Sequence, residues 1–337
     1  MDKTNGHLPR PRVAVLGGGR MARALAKIIA AIGAPICLWA RDAKARETLE
    51  AEIGGLAVTP ELRSALDRAE LIFFAVPTHA LEEVAFLYGD HARGDHVVLH
   101  ASRGVAEGFV LPHQLIKRKS CVKKIGALGG PLRATELGGG VPIAAVIASR
   151  YADTGKMVQS LVEGTPVFLH DTKDVIGVEI AGALSNVTQI AAGASDALEL
   201  GDTARGVLLT RGLADAKKLG VALGADPATF AGLAGVGDLI PRKVTSTDRH
   251  RTLGGHLARG ISLEAAKRAI VDHAEGILTA IEAKKKADEL GLELPLVRAV
   301  DEILSGKTPA KDAIERVLKL DIELDAKNAT ARRPSAE

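Results

Sequence analysis

The stretch that most restricts this chain is Val13-Ala14-Val15-Leu16-Gly17-Gly18-Gly19-Arg20-Met21-Ala22-Arg23-Ala24-Leu25. A short apolar run ends in three glycines and passes at once into a helix-forming run, which reads as strand, tight turn and helix. The spacing Gly17-x-Gly19-x-x-Ala22 is the G-x-G-x-x-G/A fingerprint of dinucleotide binding. Gly17 permits the turn, Gly19 lets the backbone approach a pyrophosphate, and the small Ala22 lets the helix lie close to the sheet. Free N–H groups at the helix start then face the anion.

The alternation of apolar and helix-forming runs extends this unit. Arg12 to Leu16 reads as the first strand, Arg20 to Ile32 as its helix, and Ile36 to Ala40 as the second strand. Arg41 and Asp42 close that strand. An Arg there suits the 2′-phosphate of NADP(H) and an acidic residue suits the ribose of NAD(H), so both cofactors stay open, with Arg41 favouring NADP(H). Leu71 to Val76 is a continuous apolar run, as expected of a central parallel strand buried on both faces. His96 to His100, Ile125 to Leu128, Val141 to Ala148 and Pro166 to Leu169 supply further strands. His79 follows one strand end, where it can line a cofactor cleft, and His100 reads as packed against the sheet.

Beyond Asp171 the texture changes. Apolar residues recur at helical spacing from 174 to 200, and alanine-rich helical patterns follow at 203–220, 262–271 and 275–290. Lys284-Lys285-Lys286 reads as a solvated helix face. The fold class is therefore α/β: a Rossmann-type doubly wound sheet over residues 12–171, then an all-α substrate domain over 172–325. Residues 1–11 read as a disordered leader and 326–337 as a disordered tail.

Composition excludes several function classes. The net charge of +3 and 3% aromatic content argue against nucleic acid. No apolar run reaches the ~18 residues of a membrane span, and the first residues lack the apolar core of a signal peptide. Cys37 and Cys121 fall in apolar strand-like runs and read as buried structural thiols, which suits a reducing cytoplasm. The histidines form no HExxH or close ligand cluster, so no metal is assigned.

The helical half carries the more specific signal. Asp174 to Ile180 continuing to Ala194, Leu209 to Ala214, Leu223 to Phe230, Gly232 to Leu239 and Ala274-Glu275-Gly276 resemble, in one register, the NAD(P)-dependent glycerol-3-phosphate dehydrogenases of bacterial type. The resemblance runs from about residue 12 to about 320. It implies a Rossmann domain followed by a helical domain, NADP or NAD as cofactor, and interconversion of dihydroxyacetone phosphate and sn-glycerol 3-phosphate for phospholipid synthesis. It also implies a phosphorylated small-molecule substrate, with a homodimer kept open.

To Gly17, Gly19 and Arg41, read above from the turn and the strand end, the resemblance adds Arg20, Met21, Arg103, Ala134, Arg249 and Glu275 as cofactor contacts. Substrate contacts fall to Arg103, Gly130, Asp238, Arg249 and His250, and Asp238 is also a catalytic candidate. Arg103 stands where members usually carry Lys; charge is kept, but Arg is a poor proton donor. The largest departure is Ala181-Gly182-Ala183-Leu184-Ser185-Asn186-Val187, where Ser185 replaces the family's catalytic lysine. A hydroxyl donates a hydrogen bond but brings no charge. Losing one preorganised donor typically costs about 2.7–4 kcal/mol.

Leu132 replaces a substrate-contacting Thr and adds apolar bulk. Asp248 puts a negative charge where the family holds an anion, and His250 replaces an Asn. Lys243 is a candidate substitute cation and His250 a candidate substitute acid. The expectation is a kept nucleotide site, a remodelled substrate site and weakened activity on glycerol phosphate. The rival readings are a related dehydrogenase for another small carbonyl, and a non-catalytic NAD(P)-binding regulatory protein.

Overall fold

The structure is a computed structural model that describes residues 10–240, 248–270 and 273–320. In chain order the first part comprises β1 (Val13–Leu16), α1 (Arg20–Ala31), β2 (Ile36–Trp39), α2 (Ala43–Glu52), β3 (Ala57–Thr59), α3 (Leu62–Leu66), β4 (Leu71–Phe74) and α4 (Thr78–Gly89). It continues with β5 (Val97–His100), α5 (Pro112–Lys119), β6 (Lys124–Gly129), α6 (Ala134–Leu137), β7 (Ile143–Ala148), α7 (Ala152–Val162) and β8 (Val167–Thr172). The strands form one sheet in the order β3-β2-β1-β4-β5-β6-β7-β8.

Alternation along each strand explains why these runs are apolar throughout. Val13, Val15, Leu71 and Phe73 face one core, shared with Ala22, Leu25 and Ile29 of α1. Ala14, Leu16, Ile72 and Phe74 face the other, packed on Leu81, Val84 and Tyr88 of α4 and on Ile116 of α5. A strand covered on both sides has no polar face to display.

Two features of the sheet differ from the sequence reading. β3 is a short, partly exposed edge strand with no apolar run to announce it. β7 runs antiparallel to β6, pairing Ala127 with Ala148 and Gly129 with Val146, and β8 then pairs parallel to β7. Hydrophobic pattern carries burial but not strand direction, so the reversal has no signature in it. Cys121 is a further correction: it is exposed and lies in the turn before β6, whereas Cys37 on β2 is half-buried.

The second part is helical among the described residues: α8 (Val175–Ala197), α9 (Gly201–Ala222), α10 (Pro227–Ala231), a π-turn at Leu233–Gly237, α11 (Arg249–Ala258), α12 (Leu263–Ala269), α13 (Gly276–Leu290), α14 (Pro295–Leu304) and α15 (Ala310–Leu318). The chain divides into two compact units, Met1–Ala106 with Val110–Glu179, and Glu107–Phe109 with Ile180–Glu337, so the division falls inside α8. That helix does reach the length and hydropathy of a membrane span, contrary to the reading from apolar runs, but 89% of its most apolar window is buried. The start of α14 is set from far away. The Asp215 carboxylate on α9 accepts from the N–H groups of Leu296 and Val297 at 2.8 and 3.0 Å, just after Pro295. Such a distant cap satisfies helix-end donors that no local side chain reaches.

At the start of β5 the buried His96 accepts through Nδ1 from the Tyr88 hydroxyl, 2.7 Å away. Its Nε2 is buried with no hydrogen-bond partner. Burial, with the nearby Arg93 charge, pushes His96 down to about 4. The unfolded chain therefore binds a proton below about pH 6.5 that the folded chain refuses. Stability is fully present above that pH and falls as pH drops towards 4. Thermal unfolding between pH 7.5 and 4.5 is expected to show this decline, and His96→Asn, which keeps the acceptor and removes the titration, is expected to flatten it.

Candidate active site

The glycine turn after β1 has the geometry an anion site requires. Gly17 sits at φ +130°, and a Cβ there would stand 2.6 Å from the Ala75 carbonyl oxygen. Only glycine permits both the backbone angle and the approach to the strand end of β4. Gly19 is the N-cap of α1 in extended conformation, and a Cβ on it would meet nothing within 4 Å. The open space beside the Gly19 backbone lies where the first N–H groups of α1 have no helical partner, and the first turn holds no acidic side chain. These are the features a diphosphate needs. Ala22 is fully buried against the sheet. Arg20 is exposed at the first helical position, while Met21 packs partly against the core below.

The other candidate residues of this unit follow strand ends. Arg41 is exposed after β2 and pairs with Glu83 on α4. Exposed pairs of this kind hold a side chain only weakly. Asp42 is committed differently: it caps α2, accepting from the Ala45 N–H at 2.7 Å. Arg46 secures the corner by donating to the carbonyls of Ala40 and Arg41 at 2.9 and 2.6 Å. Arg103 is half-buried three residues beyond the end of β5, His79 is exposed in the first turn of α4, and Gly130, at φ +82°, follows β6. Ala134 opens α6. Leu132 corrects an expectation: it is 7% exposed and belongs to the apolar core cluster. Its bulk enters the core.

In the helical unit, α8 is the platform. Ser185 and Asn186 on it are 5% and 4% exposed. Glycines bring α11 against it: a Cβ on Gly254 would fall 1.9 Å from the Ile190 carbonyl oxygen, and one on Gly193 would fall 2.1 Å from that of Arg251. The N-terminus of α13 arrives at the same place. A Cβ on Gly276 would meet His250 Cδ2 at 2.9 Å and the Asn186 carbonyl oxygen at 3.1 Å. His250 Nε2 accepts the Gly276 N–H at 3.1 Å. A nitrogen that accepts carries no proton, so this edge of the ring is not the substitute acid expected from sequence. Arg249 lies 3.5 Å from the Glu275 carboxylate. The stretch bearing the buried Asp238 is tied to α8 because Gln189 Nε2, one turn after Ser185, donates to the Leu239 carbonyl at 3.4 Å.

Thus Ser185, Asn186, Arg249, His250 and Glu275 are gathered by three helix segments, with Asp238 anchored through its neighbour. Lys243 lies outside the described residues. Among the described residues, no group of three or more His, Cys, Asp or Glu could hold a metal ion. The Lys284–Lys286 run makes short-range pairs with Asp288, Glu282 and Glu289. Gln189 escaped the sequence reading, although its i+4 spacing from Ser185 puts both on one helix face.

Asp248 also changes meaning. Its side chain accepts from the Arg251 N–H at 3.3 Å and caps α11. The residue thus serves the helix end that presents Arg249 and His250. Urea unfolding is expected to show Asp248→Ala losing about 1 kcal/mol, while Asp248→Ser, another good cap, stays within about 0.5 kcal/mol of the parent.

Comparison with known proteins agrees with both halves. Residues 12–154 match the family described as NAD-dependent glycerol-3-phosphate dehydrogenase N-terminus, and residues 174–315 match its C-terminus. The glycerol-3-phosphate dehydrogenase [NAD(P)+] of Saccharophagus degradans is 33% identical over 326 residues, covering 93% of this chain and 91% of that protein. That of Pseudomonas syringae pv. tomato is 34% identical over 325 residues, covering 93% and 95%. The crystal structure of glycerol-3-phosphate dehydrogenase from Coxiella burnetii superposes with a TM-score of 0.86 at 28% identity, covering 93% of this chain and all of that one. With a nucleotide-type turn in one unit, the expected helical cluster in the other, and both family halves matched in order, this chain belongs to the NAD(P)-dependent glycerol-3-phosphate dehydrogenase family.

Proposed function

We propose that this protein reduces dihydroxyacetone phosphate to sn-glycerol 3-phosphate in the cytoplasm, with NADPH preferred over NADH, at a rate held low by Ser185. The observation that carries the reading is the combination of an open glycine turn with an Arg249–Glu275–His250 cluster packed on α8, the helix that bears the buried Ser185.

A bound reduced nicotinamide supplies the hydride; the remaining tasks fall to this chain's side chains. Gly17, Gly19 and the first N–H groups of α1 hold the cofactor's diphosphate. Arg41 exchanges its exposed partner Glu83 for a 2′-phosphate, a stronger charge-assisted contact. Asp42 does not compete for the ribose, because its carboxylate caps α2. Arg103 and Arg249 supply positive charge to the substrate phosphate and cofactor. Ser185 offers the developing alkoxide a neutral donor, and Asp238 orders the polar groups around it. The missing ammonium removes both the charge and the ready proton at that oxygen.

The test is steady-state oxidation of NADPH with dihydroxyacetone phosphate. Slow turnover is expected from the parent chain. Ser185→Lys is expected to raise kcat by roughly 100- to 1000-fold, the size of one preorganised donor. An unchanged kcat in a folded variant would speak for a different substrate or for a binding protein without turnover. Arg41→Ala is expected to weaken NADPH binding about tenfold, or about 1.4 kcal/mol, and to leave NADH binding unchanged; calorimetric titration with each nucleotide reads the difference.

A further inference from the structure

One buried carboxylate in the first unit has no part in the chemistry described so far. Glu179, on the first turns of α8, is 1% exposed. It touches two histidines from separate elements. His100 Nε2, at the end of β5, lies 2.7 Å from one carboxylate oxygen. His113 Nδ1, near the start of α5, lies 2.5 Å from the other. The His113 backbone N–H also donates to Glu179 at 2.8 Å. His100 is buried as deeply as Glu179, and its N–H is not aimed squarely along a hydrogen bond, so that contact is mainly electrostatic. Burial pushes the Glu179 carboxyl up, but the close polar contacts and charges of the two imidazoles outweigh it and the net shift is downward. The group is therefore held ionised in the interior, where an unpaired carboxylate would be expensive.

The placement follows from a glycine. A Cβ on Gly129, the last residue of β6, would stand 2.4 Å from Val178 Cγ1. Without that Cβ, the first turns of α8 settle on the strand end, and Glu179 is carried to β5. The two histidines bracket a single connection, residues 101–112. Its first residues carry Arg103. They are fixed on the other side by the Ala101 N–H on the Phe74 carbonyl and by the Ser102 hydroxyl on the Val76 carbonyl, both at 3.0 Å.

We propose that Glu179, with His100 and His113, is a positioning residue that orders the segment after β5 and so aims Arg103. Glu179 touches neither substrate nor cofactor in this role; it acts through the loop whose two ends it joins. The consequence for substrate rests on the function proposed above, and the ordering of the loop does not.

The test therefore has two readouts on the full chain. Amide hydrogen exchange over residues 101–106, without any substrate, reads the loop directly. In Glu179→Gln and His113→Leu it is expected to accelerate at least tenfold, whereas His113→Asn, which keeps a donor in the Nδ1 position, is expected to stay near the parent. The second readout is the KM for dihydroxyacetone phosphate, expected to rise at least fivefold in the same two variants, with kcat within twofold and recovery in His113→Asn. Unchanged exchange over 101–106 in a folded Glu179→Gln would overturn the inference. So would accelerated exchange with an unchanged KM, or acceleration spread evenly over the whole unit. If the parent itself does not bind dihydroxyacetone phosphate, the proposed function fails and the exchange result alone decides the inference.

Discussion

The first unit depends on how closely backbone can approach backbone at the carboxyl ends of its parallel strands. Gly17 passes within contact of the Ala75 carbonyl because it has no side chain, and that contact lets α1 begin where β1 stops. What an anion would use at this turn follows: the bend, the open side of Gly19 and the first N–H groups of α1. Gly129 at β6 makes room in turn for the Val178 side chain and the start of α8. The central strands β1, β4 and β5 are buried on both faces. Loops at their ends can therefore vary while the frame stays in place.

The helical unit achieves convergence by a related means. Gly193 and Gly254 remove the side chains that would separate α8 from α11, and Gly276 does the same where α13 meets them. Helix axes drawn this close set the ends of two helices over one face of a third. Polar groups then satisfy one another across the join: His250 accepts from Gly276, Arg249 faces Glu275, and Asp248 closes the end of its own helix. His250 and Asp248 are best understood as parts of this packing, a role that their residue types alone do not reveal.

Much of the fold was readable from the chain because it rests on local rules. The glycine spacing, the continuous apolar strands and the four longest helical patterns all use periodicity and turn chemistry that a short window contains. The parts that were not readable depend on distant partners. Asp215 starts α14 from 81 positions away. The reversal between β6 and β7 leaves each strand as apolar as before. Leu132 looks like a substitution in the site and turns out to fill the core, since a single position does not say which way its side chain will point. The same limit hid Glu179: a glutamate in an apolar helix is unremarkable until His100 and His113 are found against it.

The interlocked glycines of α8 and α11 bear on how such a protein can change over time. A Cβ at Gly193 or Gly254 would strike main-chain atoms, which no rotamer change can relieve. The two helices cannot drift apart by small steps without losing their fit. New chemistry must then come from exchanging side chains on an immobile platform, one position at a time. Ser185 on α8, Arg249 at the start of α11 and Glu275 at the start of α13 are side chains that such a platform carries.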